Sequence, residues 1–379
     1  MSGNKNSIDE FIAFIRSIIS NIDIEIANMY DKDNDKEICL FGTKHNNITC
    51  ISLYVLVYMA IAYNIENPNN IINNIDIIKN EVITRNDLTH EIEFKKYLIY
   101  ELYERLKSRC GNSQICWTNQ TFFNNLSNDI KKQLIYDTWA PPAPKLPYDW
   151  LSSIDIEGVL YGVGKVYTKF FSHGCVPIDF KDYAPFLSFC NYDKRIEQGY
   201  TKYGTVINLD PHDKGGSHWT ALYYDFDLLL IVYYNSDGRK YCSRVGEFIE
   251  KLKKTMVRIK NATIPDVTVI VNSVQHQYKN TECGVYCLRF IILLLKICNT
   301  YKPSGNFKND VNLIKTSIEK MLSEDAPDDK IHKCRRQYFS SSNTKKDDER
   351  LDVKDPTKYI LHEIENTTLS YGGEKKGKK

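Results

Sequence analysis

The sequence predicts an α+β protein in which a small central β-sheet is flanked by helices and preceded by a mainly helical N-terminal domain. Short β-branched or aromatic runs, typical of strands, occur at 206–209, 219–225, 228–234 and 267–271. Amphipathic or apolar segments with the length of helices cover 245–256 and 283–298. Strands followed by helices favour an α+β domain with a small sheet.

Residues 1–138 are expected to form a helical accessory domain. Near the start, apolar side chains recur at helical spacing, at Ile8, Phe11, Ile12, Ile15, Ile18 and Ile19. The run from Ile51 to Tyr63 is apolar enough for a buried helix, and 91–106 carries one apolar face. No catalytic pattern is recognisable in this domain.

A proline-rich stretch at 139–147 is predicted to link the helical domain to a core at 148–325. It holds four prolines in nine residues, which excludes a helix interior and a central strand. The core is expected to open with a helix over 154–171. After about Ala326 the chain becomes polar, so 326–379 is predicted to be a partly disordered, basic tail.

Composition narrows the class of protein. The 379 residues carry a formal net charge of +2, which excludes a histone-like basic protein and an acidic disordered chain. The 11 cysteines include no Cys-x-x-Cys pair, so we expect free thiols in a reducing compartment, with no metal and no cofactor. The longest apolar run, 290–295, is too short to span a membrane. We therefore expect a soluble protein, inside a cell or packaged in a particle.

Cys283 is the first candidate for chemistry. The apolar segment that follows it predicts a helix, so the cysteine lies at a helix N-terminus, where free N–H groups favour a thiolate. Gly284 is expected to leave room for a substrate backbone, and Cys287, one helical turn later, is expected to be buried. A cysteine in this position is by itself more often an inert core residue.

His218 and Asn235 are predicted to meet at one edge of the sheet. If the strands at 219–225 and 228–234 form a hairpin, His218 begins one strand and Asn235 follows the other. The Asn235 carbonyl oxygen could then accept a ring N–H and fix the imidazole tautomer. Asp237 is the alternative third member. The Asn235-Ser-Asp-Gly238 stretch also has the composition of a turn.

Gln277, six residues before Cys283, could donate a hydrogen bond to an oxyanion beside the Cys283 backbone N–H. The four candidates then follow the order His218, Asn235, Gln277, Cys283. Their spacing is 17 residues from His218 to Asn235 and 48 from Asn235 to Cys283. This order differs from the Cys, His, Asn order of papain.

This pattern resembles the adenain/SUMO-protease-like cysteine peptidases, which include the SUMO-specific, adenovirus maturation and poxvirus core proteases. It looks closest to the asfarvirus-type polyprotein protease, through 167–171, 216–219, 234–236 and 276–284. The resemblance covers about 148–325. It implies that Cys283 is the nucleophile, His218 its general base, Asn235 the residue that orients His218, and Gln277 the oxyanion donor.

The resemblance also implies a substrate. Trp150 and Trp219 are similar to two tryptophans that form a tunnel over a Gly-Gly segment in this family, because only glycine lacks the Cβ that would collide with the walls. Ordinary core packing is the alternative for each ring. The sequence therefore predicts a viral maturation protease that cuts structural polyproteins after Gly-Gly, in the virion or at cytoplasmic assembly sites.

Four other interpretations stay open. The same residues could remove ubiquitin or a ubiquitin-like protein from host conjugates. The chain could instead be a catalytically inactive module that recognises Gly-Gly segments. The lysine-rich end could make a weak contact with nucleic acid, and Gly372-Gly373 within it could be a self-processing site.

Overall fold

The structure, a computed structural model, describes residues 2–29, 39–40, 49–84, 90–146, 148–183, 185–300 and 306–340. The chain divides into two compact units between Ala140 and Pro141. This division falls inside the segment predicted as the linker. The self-processing hypothesis for Gly372-Gly373 and the lysine-rich end lie outside the described residues.

The first unit is built from helices. These are α1 (Ser2–Met29), α2 (Leu53–Glu66), α3 (Ile75–Thr84), α4 (Glu91–Cys110) and α5 (Asn128–Tyr136), with 3₁₀ turns at Ile115–Asn119 and Thr121–Asn125. The Ser52 hydroxyl accepts the Val55 N–H and so caps the start of α2. Helix α2 is buried on several sides, as its nearly uniform apolar sequence predicts.

The expectation of free thiols is wrong for four cysteines of the first unit. Cys39 is bonded to Cys50, and Cys110 to Cys116. Both bridges close short loops, in which the unfolded chain already keeps the two thiols near each other. The seven cysteines of the second unit are free, so the pairing follows the division between the units.

The second unit is an α+β domain, which confirms the predicted fold class. A five-stranded sheet has the order β1 (Phe170–Pro177), β2 (Lys202–Asn208), β3 (Trp219–Asp225), β4 (Leu230–Tyr234), β5 (Thr268–Val271). The central strands β2, β3 and β4 are antiparallel, and the edge strands β1 and β5 pair in parallel with β2 and β4.

The helices of this unit are α6 (Ser153–Val166), α7 (Phe180–Tyr183), α8 (Pro185–Ser188), α9 (Tyr192–Glu197), α10 (Ser243–Lys260), α11 (Cys283–Thr300), α12 (Phe307–Ser323) and α13 (Asp328–Tyr338). A 3₁₀ turn at Ile264–Asp266 precedes β5. Helix α11 packs on the sheet, where the Phe290 ring stacks on Tyr234 with centroids 4.7 Å apart. Within the described ranges, no helix is both long and apolar enough to span a membrane.

Two predicted boundaries were wrong. The helix expected over 154–171 ends at Val166, and strand β1 begins at Phe170, where aromatic residues favour a strand. The polar tail expected from 326 instead includes α13, which packs against α11. The buried face of α13 carries Asp328, His332 and Arg335 as well as Ile331 and Tyr338, so apolar periodicity alone does not reveal it.

Candidate active site

The predicted hairpin is present and brings His218 to Asn235. Strands β3 and β4 are antiparallel, with Ala221 opposite Tyr234, so the residue before β3 and the residue after β4 share one edge of the sheet. His218 Nε2 lies 2.7 Å from Asn235 Oδ1. Both side chains are buried. The hydrogen bond requires Nε2 to carry the proton, because a carbonyl oxygen only accepts, and this leaves Nδ1 free of a proton.

Cys283 is the first residue of α11 and is buried. Its thiol is near enough to the His218 side chain to raise the pKa of the imidazole, through hydrogen bonding and through charge. Burial alone lowers the pKa of His218, but the hydrogen bond and charge interaction with Cys283, the bond to Asn235 and the charge of Asp237 together raise this pKa above its ordinary value. An imidazole beside a thiol can take the thiol proton. Cys287 is buried, as predicted.

Asp237 lies farther from the imidazole than Asn235 does. Its Oδ2 is 3.9 Å from His218 Nε2, beyond hydrogen-bond distance. The Asp237 carboxylate accepts hydrogen bonds from the Arg239 backbone N–H at 2.9 Å and from Arg239 Nε at 2.7 Å. Asn235 is therefore the residue that contacts the ring, and Asp237 adds a partly neutralised negative charge beside it.

The predicted turn after β4 is also present. The Gly238 N–H donates to the Asn235 carbonyl at 2.9 Å, and Gly238 has a φ of +77°. A Cβ at this position would lie 2.9 Å from the Gln275 backbone nitrogen. Glycine is required here both for the positive φ and for this close approach.

Gln277 lies in the loop before α11 and is held by both ends of its amide. Its Oε1 accepts a hydrogen bond from the Ser236 hydroxyl at 2.6 Å, and its Nε2 donates to the Lys279 carbonyl at 2.6 Å. The amide nitrogen has a second N–H. The hydrogen bond from Ser236 links Gln277 to the residue next to Asn235. The turn after β4 therefore positions both Asn235 and Gln277.

Trp150 and Trp219 are both half-buried, and a hydrogen bond from the Trp219 side chain links their segments. The Trp219 indole N–H donates to the Leu151 carbonyl at 2.8 Å. The expectation that Gly284 leaves room for a substrate is wrong, because Leu151 fills that space: a Cβ on Gly284 would lie 3.0 Å from Leu151 Cβ. Gly284 therefore allows the 149–151 segment, rather than a substrate, to approach α11.

Several supporting residues were not predicted. The Asp328 carboxylate accepts the backbone N–H groups of Tyr278 and Lys279 at 2.9 and 3.1 Å. Ser236 and Leu151 contribute the contacts given above. Asp328 was missed because it lies in the segment predicted to be a tail. Among the described residues, no group of three or more His, Cys, Asp or Glu side chains is arranged to hold a metal ion.

Comparison with known proteins identifies the class. No family model matches the sequence. A thiol protease of Acanthamoeba polyphaga mimivirus is 29% identical over 307 residues, which cover 80% of this chain and 92% of that protein. The crystal structure of the African swine fever virus protease matches with a TM-score of 0.50 at 18% identity, over 82% of this chain and 97% of that one, and shows the same fold. The chain is a cysteine protease, a hydrolase of peptide bonds.

A second curated relative narrows this class. The cysteine protease of an African swine fever virus tick isolate is 25% identical over 231 residues, 56% of this chain and 82% of that protein. In another isolate the protein is named a SUMO-1 cysteine protease. The chain is a viral cysteine protease of the SUMO-protease-like type.

Proposed function

We propose that this protein cleaves viral structural polyproteins after Gly-Gly during virion maturation, with Cys283, His218, Asn235 and Gln277 as its catalytic residues. The observation that carries the assignment is the alignment of three side chains. The Cys283 thiol interacts with the His218 side chain, and His218 Nε2 lies within hydrogen-bond distance of Asn235 Oδ1, at 2.7 Å. This arrangement leaves the second ring nitrogen for the thiol.

The reaction follows from this geometry. His218 Nδ1 takes the proton of the Cys283 thiol, and the thiolate attacks the carbonyl carbon of the scissile bond. The imidazolium then gives this proton to the departing amine, and an acyl-thioester is left on Cys283. His218 next takes a proton from water, the hydroxide displaces the thiolate, and the thiolate recovers that proton. Asn235 holds the ring through both transfers.

The negative charge on the tetrahedral intermediate needs donors near Cys283. The Cys283 backbone N–H lies at the start of α11, where the helix leaves it without an intrahelical partner. The second N–H of Gln277 Nε2 is the other proposed donor. Its position is supported by the hydrogen bonds to Ser236 and Lys279. Donors fixed in advance stabilise the intermediate without reorganisation.

The proposed specificity rests on Trp150 and Trp219. The indole bond from Trp219 to the Leu151 carbonyl places Trp219 beside the residue that follows Trp150. Two such rings would exclude a side chain on the residues that precede the cleaved bond. A polyprotein substrate, and a location in the virion or at cytoplasmic assembly sites, are proposed because the relatives are proteases of large DNA viruses.

The second candidate function is removal of a ubiquitin-like protein from host conjugates. It is favoured by the name SUMO-1 cysteine protease given to one relative. The chemistry would be identical, since such modifiers end in Gly-Gly, but the substrate would need contacts with a folded domain.

Cleavage of two substrates tests both candidates. One substrate is an unstructured linker peptide with Gly-Gly-x, and the other is a ubiquitin-like domain that ends in Gly-Gly and is fused to a reporter. Wild type is compared with Cys283→Ala. If wild type cleaves the linker but not the folded substrate, the polyprotein function is supported. Cleavage of only the folded substrate supports the second candidate, and activity in Cys283→Ala would refute the catalytic assignment.

A further inference from the structure

The residue before the candidate nucleophile is a buried carboxylate held by α13. Glu282 is 2% exposed. Its Oε1 lies 2.9 Å from His332 Nδ1, and its Oε2 lies 2.9 Å from Arg335 Nε. Burial alone raises the pKa of Glu282, but the charge of Arg335 and the bond to His332 outweigh it and lower the pKa below its ordinary value. Glu282 is therefore charged and depends on α13 for its counter-charge.

Arg335 also reaches two backbone carbonyls outside α13. Its Nη2 donates to the Asp149 carbonyl at 2.7 Å and to the Thr281 carbonyl at 3.3 Å. A guanidinium is a rigid planar fork with five donors, so its two ends can bind different segments at once. Through this fork Arg335 connects the loop that precedes Cys283 with the segment that carries Trp150.

The segment around Trp150 is fixed on both sides of the tryptophan. On one side, Asp149 is held by Arg335, and the Tyr148 ring stacks on His332 with centroids 4.2 Å apart. On the other side, Leu151 accepts the Trp219 indole N–H. If the α13 side were released, the segment would lose these contacts before Trp150 and keep the one through Leu151 after it.

We infer that Arg335 is a positioning residue of the active site, which fixes the Trp150 segment relative to Cys283 and neutralises Glu282 beside the nucleophile. This inference rests on the proposed function, because it gives Cys283 and Trp150 their proposed roles. A structural role alone would predict loss of folded protein, whereas a positioning role predicts loss of substrate recognition in protein that is still folded.

Arg335→Lys separates these two effects. Lysine keeps a positive charge for Glu282 but lacks the planar fork that reaches Asp149 at the same time. The measurement is steady-state cleavage of a Gly-Gly linker peptide. Rates are divided by the concentration of active sites, which is counted as the iodoacetamide labelling seen by intact mass, and Cys283→Ala provides the blank. We expect kcat/KM to fall at least about 10-fold, mainly through KM, while the rate of Cys283 alkylation changes less than about threefold.

Asp329→Asn is the matched control. Asp329 also belongs to α13 and pairs with the same loop, through Lys279 Nζ at 2.9 Å, but its side chain is 73% exposed. Surface pairs of this kind contribute little, so kcat/KM should stay within about twofold of wild type.

Tyr148→Leu, which removes the ring stacked on His332, provides a second variant for the case that Arg335→Lys does not fold. It should raise KM about threefold and leave kcat unchanged.

Each result decides the inference. If Arg335→Lys keeps the wild-type kcat/KM per active site, the positioning role is overturned and the proposed function stays intact. Tyr148→Leu is judged in the same way if Arg335→Lys does not fold. A wild type that is alkylated at Cys283 but cleaves no Gly-Gly peptide or fusion would overturn the proposed function and this inference with it.

Discussion

His218 Nε2 faces the amide oxygen of Asn235 at 2.7 Å, so the imidazole is oriented by a neutral group rather than by a carboxylate. An amide fixes the tautomer as well as a carboxylate does, but it supplies no full charge to stabilise the imidazolium. Among the carboxylates of the described residues, that of Asp237 is closest to this nitrogen, at 3.9 Å.

Asn235→Ala should lower kcat/KM by about 10- to 100-fold, equivalent to about 1.4 to 2.7 kcal/mol. The variant leaves a buried ring N–H without its acceptor and releases the ring. Steady-state kinetics on the linker peptide measure the effect. Asn191→Ala, which removes the cap of α9 far from His218 in sequence, is the control and should leave kcat/KM unchanged. Equal losses in the two variants would argue against a role for Asn235.

Asp237→Asn should move the limb of the pH profile of kcat/KM that reports His218 to lower pH. The Asp237 charge contributes to the raised pKa of His218, so its removal makes the imidazolium easier to deprotonate. Arg239→Gln removes the positive charge beside Asp237 and should shift this limb to higher pH. Shifts of the same sign in both variants would contradict this electrostatic account.

Gly284→Ala should reduce kcat/KM, because its Cβ would lie 3.0 Å from Leu151 Cβ and displace the segment next to Trp150. Gly164→Ala is the matched control. Gly164 lies inside α6, and the nearest atom to its new Cβ would be 4.0 Å away. The control should keep wild-type activity and gain up to about 1 kcal/mol of stability, as measured by urea unfolding. Unchanged activity in Gly284→Ala would show that the Leu151 contact has no functional role.

Alkylation of the denatured protein should modify seven cysteines without reductant and eleven with it. Each disulfide closes a short loop and should contribute about 2 to 3 kcal/mol to the first unit by restricting its unfolded state. Dithiothreitol should therefore lower the unfolding midpoint of this unit. Intact mass gives the thiol count, and eleven modified cysteines without reductant would rule out both bridges.

Lys202→Met should destabilise the second unit by about 3 to 5 kcal/mol. Lys202 Nζ lies 2.6 Å from Asp225 Oδ2, and the side chains are 7% and 0% exposed, so the variant leaves an unpaired buried carboxylate. The double variant Lys202→Met/Asp225→Leu removes both charges and should recover most of this loss. Urea unfolding of both single variants and of the double variant gives the coupling energy between Lys202 and Asp225. Losses of stability that simply add would contradict the coupling.

The sequence predicts those parts of the site that depend on local order. The β3–β4 hairpin could be expected from two aromatic strands with a short connection, and the hairpin by itself brings His218 to Asn235. The start of α11 at Cys283 follows from the apolar helix after it. These features need only neighbouring stretches of chain, so pattern and spacing are sufficient.

Contacts between distant segments could not be predicted in this way. Helix α13 was missed because its buried face includes Asp328, His332 and Arg335, which apolar periodicity does not detect. The role of Gly284 was misjudged because Leu151, its partner, lies 133 positions earlier in the chain. A buried polar residue can be recognised in a sequence only when the residue that it pairs with is known.

The contacts of α13 impose an order on the appearance of this site during protein synthesis. The ribosome makes His218, Asn235 and Cys283 first, but the Tyr278 backbone N–H and the Glu282 carboxylate find their α13 partners only when Asp328 and Arg335 have emerged. Because chains fold from the N-terminus as they are made, a nascent chain that has just exposed Cys283 has an incompletely supported site. The support that α13 gives to this loop is therefore acquired last, after every residue of the proposed catalytic set has been made.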